Sequence, residues 1–128
     1  MPRKAEDLEA PWIRDELAAW LAKLGDQAWQ EENWTQPPAA AAEYTTLDDA
    51  LNFFDDYAVL DDPPAHLGWF LLAEEEAKTI ENFRDALDRA ISTQPRSDAD
   101  LIHSEVWAPV VAAARRALAA LGRNRDAA

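Results

Sequence analysis

The residues of this chain best equipped for chemistry are its carboxylates. Three adjacent pairs, Asp48–Asp49, Asp55–Asp56 and Asp61–Asp62, stand close together in the middle of the sequence. A calcium loop needs oxygen ligands at alternating positions of a tight turn containing glycine, as in D-x-D-x-D-G, and no such run occurs. Neighbours on a helix point about 100° apart, so a side-by-side pair does not by itself build a chelating or acid–base site. The two histidines, His66 and His103, lie at no helical ligand spacing from another good ligand, so a zinc centre would have to be assembled by tertiary coincidence. His66 reads as a loop residue and His103 as a helix-end residue. The absence of cysteine excludes disulfides, thiolate metal sites and cysteine nucleophiles. No phosphate-cradling or nucleophile-elbow motif occurs, and three glycines leave little room for one, so no cofactor is expected.

This chemistry favours a binding protein over an enzyme, and the charge distribution suggests what it binds. A hydrophobic fraction of 48% with six tryptophans supports a folded domain despite a net charge of −13. The charge is uneven: residues 43–88 hold thirteen acids against two bases, whereas residues 89–128 hold four acids against six bases. Such a surface disfavours direct contact with nucleic acid or an anionic membrane and suits a basic protein partner. No apolar run approaches the roughly 18 residues of a membrane span, and no apolar stretch follows the basic start, so a cytoplasmic location is expected.

The elements that must position the acids follow from apolar periodicity. A helix is predicted over Pro11–Leu24, with Ile13, Leu17, Trp20, Leu21 and Leu24 on one stripe and Trp12 off it. Asp26 caps a short helix through Trp34, in which Trp29 and Trp34 close the core. Pro37–Pro38 then opens a loop over the alanines at 39–42. A third helix starts at Thr46, whose spacing to Asp49 matches an acidic capping box. It sets Leu47, Ala50, Leu51, Phe54 and Ala58 against Asp48, Asp49, Asn52, Asp55 and Asp56, with Phe53 at the edge between the faces. The connector 59–64 is stopped by Pro63–Pro64.

The run Leu67–Leu72 admits either a strand paired with Tyr57–Leu60 or the start of a helix; Gly68, Trp69 and Phe70 favour the extended form. The longest helix spans about 73–92 on the stripe Ile80, Phe83, Leu87 and Ile91, with Glu74–Lys78 and Asp85–Arg89 as favourable pairs one turn apart. A short helical turn over 99–103 precedes a final helix starting near Ser104 and ending before Gly122, with Trp107, Val110, Val111, Ala114, Leu118 and Leu121 on its apolar face. The expected fold is therefore mainly α: a compact bundle of about five helices over residues 11–122, with room for a two-stranded hairpin around 57–72. Residues 1–10 and 123–128 are expected to be flexible.

Taken together, WQEENW at 29–34, FFDD at 53–56, VLDDP at 59–63, Gly68 before an apolar run, and WAPVVAAARRAL at 107–118 resemble a family of small acidic uncharacterised actinobacterial proteins. The resemblance covers about residues 12–121, and its most specific parts are the FDD–VLDDP block and the W-x-x-V-V-x-A-A helix. It implies no catalytic residue, but it singles out Asp55, Asp56, Asp62 and Pro63 as members of a shared motif. A compositional likeness to the immunity proteins of bacterial toxin systems is weaker.

The expected function is that of a non-enzymatic module engaging a basic protein partner, with an immunity or inhibitor role as one form. Asp48, Asp49, Asp55, Asp56, Asp61 and Asp62 supply the charge, and Phe53, Tyr57 or Trp69 the anchor. The rival readings are a nucleic-acid mimic that inhibits a DNA-binding protein and a metal-dependent enzyme of unrecognised type.

Overall fold

The computed structural model describes residues 4–34 and 46–124. The expected loop over 39–42 and the chain ends at 1–3 and 125–128 lie outside the described residues. Six helices and no strand occur among those described: α1 (Pro11–Leu24), α2 (Gln27–Trp34), α3 (Leu47–Asp56), α4 (Glu74–Ile91), α5 (Asp98–Ile102) and α6 (Trp107–Arg123).

Local chemistry sets the helix ends. Pro11 sits in the first turn of α1, where its missing N–H forfeits no bond, and the Gly25 N–H closes the helix onto Leu21 O at 2.9 Å. Asp26 Oδ1 accepts the Trp29 N–H at 3.0 Å and starts α2. At α3 the Thr46 N–H donates to Asp49 Oδ2 at 2.8 Å, the acidic capping box anticipated from spacing. Ser97 caps α5 by accepting the Asp100 N–H.

The α4 and α6 helices form the central pair, and α1 also packs across α6. Ala113, Ala114, Ala117 and Ala120 of α6 are all buried, and small side chains there allow two helices to approach closely. Ile13, Leu17, Leu21 and Leu24 meet Ile80, Phe83, Leu87, Trp107 and Val110 in one continuous core. Trp34 packs edge-on between Trp29 and Trp107. Buried Gln30 ties this end together: its Nε2 donates to Lys23 O and Leu24 O, and its Oε1 accepts the Trp107 indole N–H at 2.7 Å. The core is also joined ahead of Pro11. Leu8 and Ala10 are buried, and the N–H groups of Glu9 and Ala10 donate to Gly68 O and Trp69 O.

The expected two-stranded hairpin over 57–72 is not formed. The α3 helix ends in a Schellman turn: the Val59 N–H reaches Phe54 O at 2.9 Å and the Ala58 N–H reaches Asp55 O at 3.2 Å, with Ala58 left-handed at φ 49°. Asp62 is also left-handed at φ 45°, and Pro63–His66 then forms a single 3-10 turn. Within the expected strand Tyr57–Leu60, left-handed Ala58 breaks the extended backbone and the Schellman turn takes the Val59 N–H, so no ladder can form there. The Leu67–Leu72 run folds over itself instead. His66 O accepts the N–H groups of Trp69, Phe70 and Leu71, and Gly68 turns at φ 88°, leaving only an isolated bridge between Leu67 and Leu71.

Candidate functional site

The aspartates from 48 to 62 are all exposed, and none enters an ion pair among the described residues. Their settings differ, however. Asp48 and Asp49 occupy the first turn of α3, where the positive end of the helix dipole favours them, and Asp49 also serves the capping box. Asp55 and Asp56 occupy the last turn, at the negative end, with no base in that turn. A cation is the favourable occupant there, so these two acids act against the local structure. Asp61 and Asp62 follow directly on the connector. Arg84 of α4 donates to Leu60 O, beside them in the chain, and pairs with its own neighbour Asp85. It does so in place of the anticipated Asp85–Arg89 pair.

The aromatic residues expected to anchor a partner are placed unequally. Phe53 is 5% exposed and packs against Phe54 and Tyr57, so it belongs to the core and is corrected as a surface contact. At the margin of the helical wheel, Phe53 is covered by the ring of Tyr57, which in turn meets Trp12. Trp69 is half-buried between His66 and Phe70. Tyr57 is half-buried, and its ring meets Trp12 edge-to-face at 5.2 Å. Trp12 itself, off the apolar stripe of α1, is 53% exposed. Its place off the core stripe of α1 is the sequence signal of that exposure.

Neither histidine contributes to a cluster. His66 is buried at the end of the 3-10 turn; its Nε2 bonds Ala58 O at 2.9 Å and its ring stacks on Phe70. His66 thereby staples the Schellman turn to the 66–71 turn. His103 caps α5 and pairs with Glu31 of α2. Among the described residues no group of three or more His, Cys, Asp or Glu side chains could hold a metal ion. No helix among them is long and apolar enough to cross a membrane.

Among the described residues, the charged pair in the interior is structural. Arg14 of α1 grips Glu76 of α4 with two parallel bonds of 2.8 Å, Nη1 to Oε1 and Nη2 to Oε2. Arg14 also donates to Phe70 O and Leu121 O, and Glu76 Oε1 accepts the Leu72 N–H. Four segments are thus joined at one buried pair whose charge is internally cancelled. At the surface, Glu75 pairs with Arg123 and Asn124, whose hydrogen bonds hold its carboxyl below the ordinary glutamate range. A groove of about 300 Å³ runs between Pro64, Leu67 and α4, rimmed by Glu74, Lys78 and Glu81.

The chain belongs to the family described as a domain of unknown function, DUF7945, which matches residues 8–128. No curated protein and no solved structure matches it.

Proposed function

We propose that the protein is a non-enzymatic binding module that engages a basic protein partner through the C-terminal end of α3 and the connector after it. The observation that carries this reading is the pair Asp55 and Asp56, exposed in a helical turn whose dipole disfavours them and which holds no base. Local rules are most often broken where function requires it. Asp61 and Asp62 extend the same charge along the connector, and an arriving lysine or arginine would relieve both the repulsion and the dipole conflict. An immunity or inhibitor role against a basic protein is one form such binding takes.

Asp48 and Asp49 stand in a different position, because their place in the first turn already has a structural reason. The test therefore changes Asp55 and Asp56 together to Asn, leaves the cap intact, and reads stability and binding separately. The variant is expected to be slightly more stable, by a few tenths of a kcal/mol per site. It should lose the partners that the wild type captures at low salt and releases at high salt, since exposed charges are screened over about 8 Å at physiological ionic strength. Retention of every partner at equal affinity would sink the reading.

A further inference from the structure

We infer that Trp12 is the docking point for an arginine side chain of the basic partner; this inference rests on the acidic-surface reading and gives that surface its anchor. Trp12 has more than half of its surface in solvent, yet its ring is not loose. It meets Tyr57 edge-to-face at 5.2 Å, Tyr57 meets Phe53 at 5.5 Å, Phe53 meets Phe54 at 5.6 Å, and Phe54 meets Phe83 at 5.7 Å. A ladder of rings thus runs from the surface to a fully buried phenylalanine of α4. A ring held in this way loses little freedom on binding, which is what makes an aromatic residue an effective anchor.

Charge selects the occupant. Asp15 and Glu16 are exposed one turn beyond Trp12 on α1, and Asp55 and Asp56 directly precede its ring partner Tyr57. Arg14, the base next along α1, is buried and committed to Glu76. A second copy presenting the same patch would set acids against acids across a two-fold axis, and an anionic membrane would be repelled. A guanidinium fits on two counts: it stacks on an indole face, and it offers a planar fork of donors to the flanking carboxylates. Lysine offers the charge without the plane.

The test uses synthetic decapeptides of alternating alanine with arginine, lysine or neutral citrulline, added to the full chain. The indole N–H signals are followed by NMR, with the Trp12 signal identified by its loss in Trp12→Ala. The arginine peptide should shift the Trp12 signal and bind at least twofold more tightly than the lysine peptide, whereas citrulline should have no effect. Trp12→Ala should weaken arginine-peptide binding by about three- to thirtyfold. Unchanged affinity in Trp12→Ala, or an unmoved Trp12 signal at millimolar peptide, overturns the anchor. If Asp55→Asn/Asp56→Asn still loses affinity in that case, the acidic-surface reading survives without its anchor. If that variant too binds the arginine peptide as the wild type does, both fall.

Discussion

Replacing either member of the Arg14–Glu76 pair should destabilise this protein more than any change on its acidic surface. Glu76 is fully buried and Arg14 is 5% exposed, so a survivor would keep its charge without water or counter-ion. Breaking a buried pair in this way costs about 3–5 kcal/mol, against the roughly 5–15 kcal/mol that keeps a domain folded. The double variant Arg14→Met/Glu76→Leu removes both charges but strips Phe70 O, Leu121 O and the Leu72 N–H of their partners. At about 1–2 kcal/mol for each orphaned backbone group, the double variant should lose roughly 3–6 kcal/mol, against roughly 6–10 for the sum of the single variants. A double-mutant cycle by urea denaturation, with the slope checked for constancy, measures the difference. Glu76→Gln keeps the shape and one acceptor, and it reports the charge term should the larger replacements fold poorly. If the single effects add to within about 0.5 kcal/mol, the two groups are not coupled and the reasoning fails.

Two further outcomes follow from the turn after α3 and from the end of α6. Ala58 holds a left-handed conformation that costs an L residue about 1–2 kcal/mol, whereas glycine returns about 0.4–1 kcal/mol through the unfolded chain. Ala58→Gly should therefore stabilise by about 0.5 kcal/mol in urea titrations and Ala58→Val should destabilise; a loss on Ala58→Gly contradicts the left-handed assignment. Because the folded state holds the Glu75 carboxyl below the ordinary range, its stabilisation is present above the unfolded value of about 4.3 and is lost as pH falls through the lowered folded value. Arg123→Ala should thus lower the urea midpoint at pH 6 and converge with wild type in strong acid; a gap that persists there would point to packing instead.

The helices were largely legible because each announces itself locally. The α1 stripe with Pro11 and Gly25, the Thr46–Asp49 cap and the Ile80–Phe83–Leu87 stripe all encode their ends within a few residues. The 57–72 region was not, because its conformation depends on left-handed Ala58 and Asp62 and on His66 bonding back to Ala58 O, none of which has a periodicity. Arg14 and Glu76 were readable in part. Arg14 lies three residues before Leu17, and Glu76 four before Ile80, which places opposite charges on two apolar stripes, but their pairing spans 62 positions. The acids are legible in composition, and the shared FDD–VLDDP block already sets Asp55, Asp56 and Asp62 apart from Asp48; the structure adds the absence of a base in the last turn of α3.

The attachment of α3 has a consequence for detection. This helix makes little close backbone approach to other elements and reaches the core through the side chains of Leu47, Ala50, Phe53 and Phe54, with Phe54 against Phe83, Leu47 N–H on Asp98 and the aromatic rungs to Trp12. Its amides should open to deuterium ahead of those of α4 and α6, in a sub-global fluctuation that leaves the central pair closed. Any molecule that binds only the closed form shifts that opening by mass action, by about 2.7 kcal/mol at a hundredfold excess over its Kd. Slowed deuterium uptake across residues 47–58 therefore serves as an occupancy signal for candidate partners, readable by mass spectrometry with no covalent tag and no activity assay.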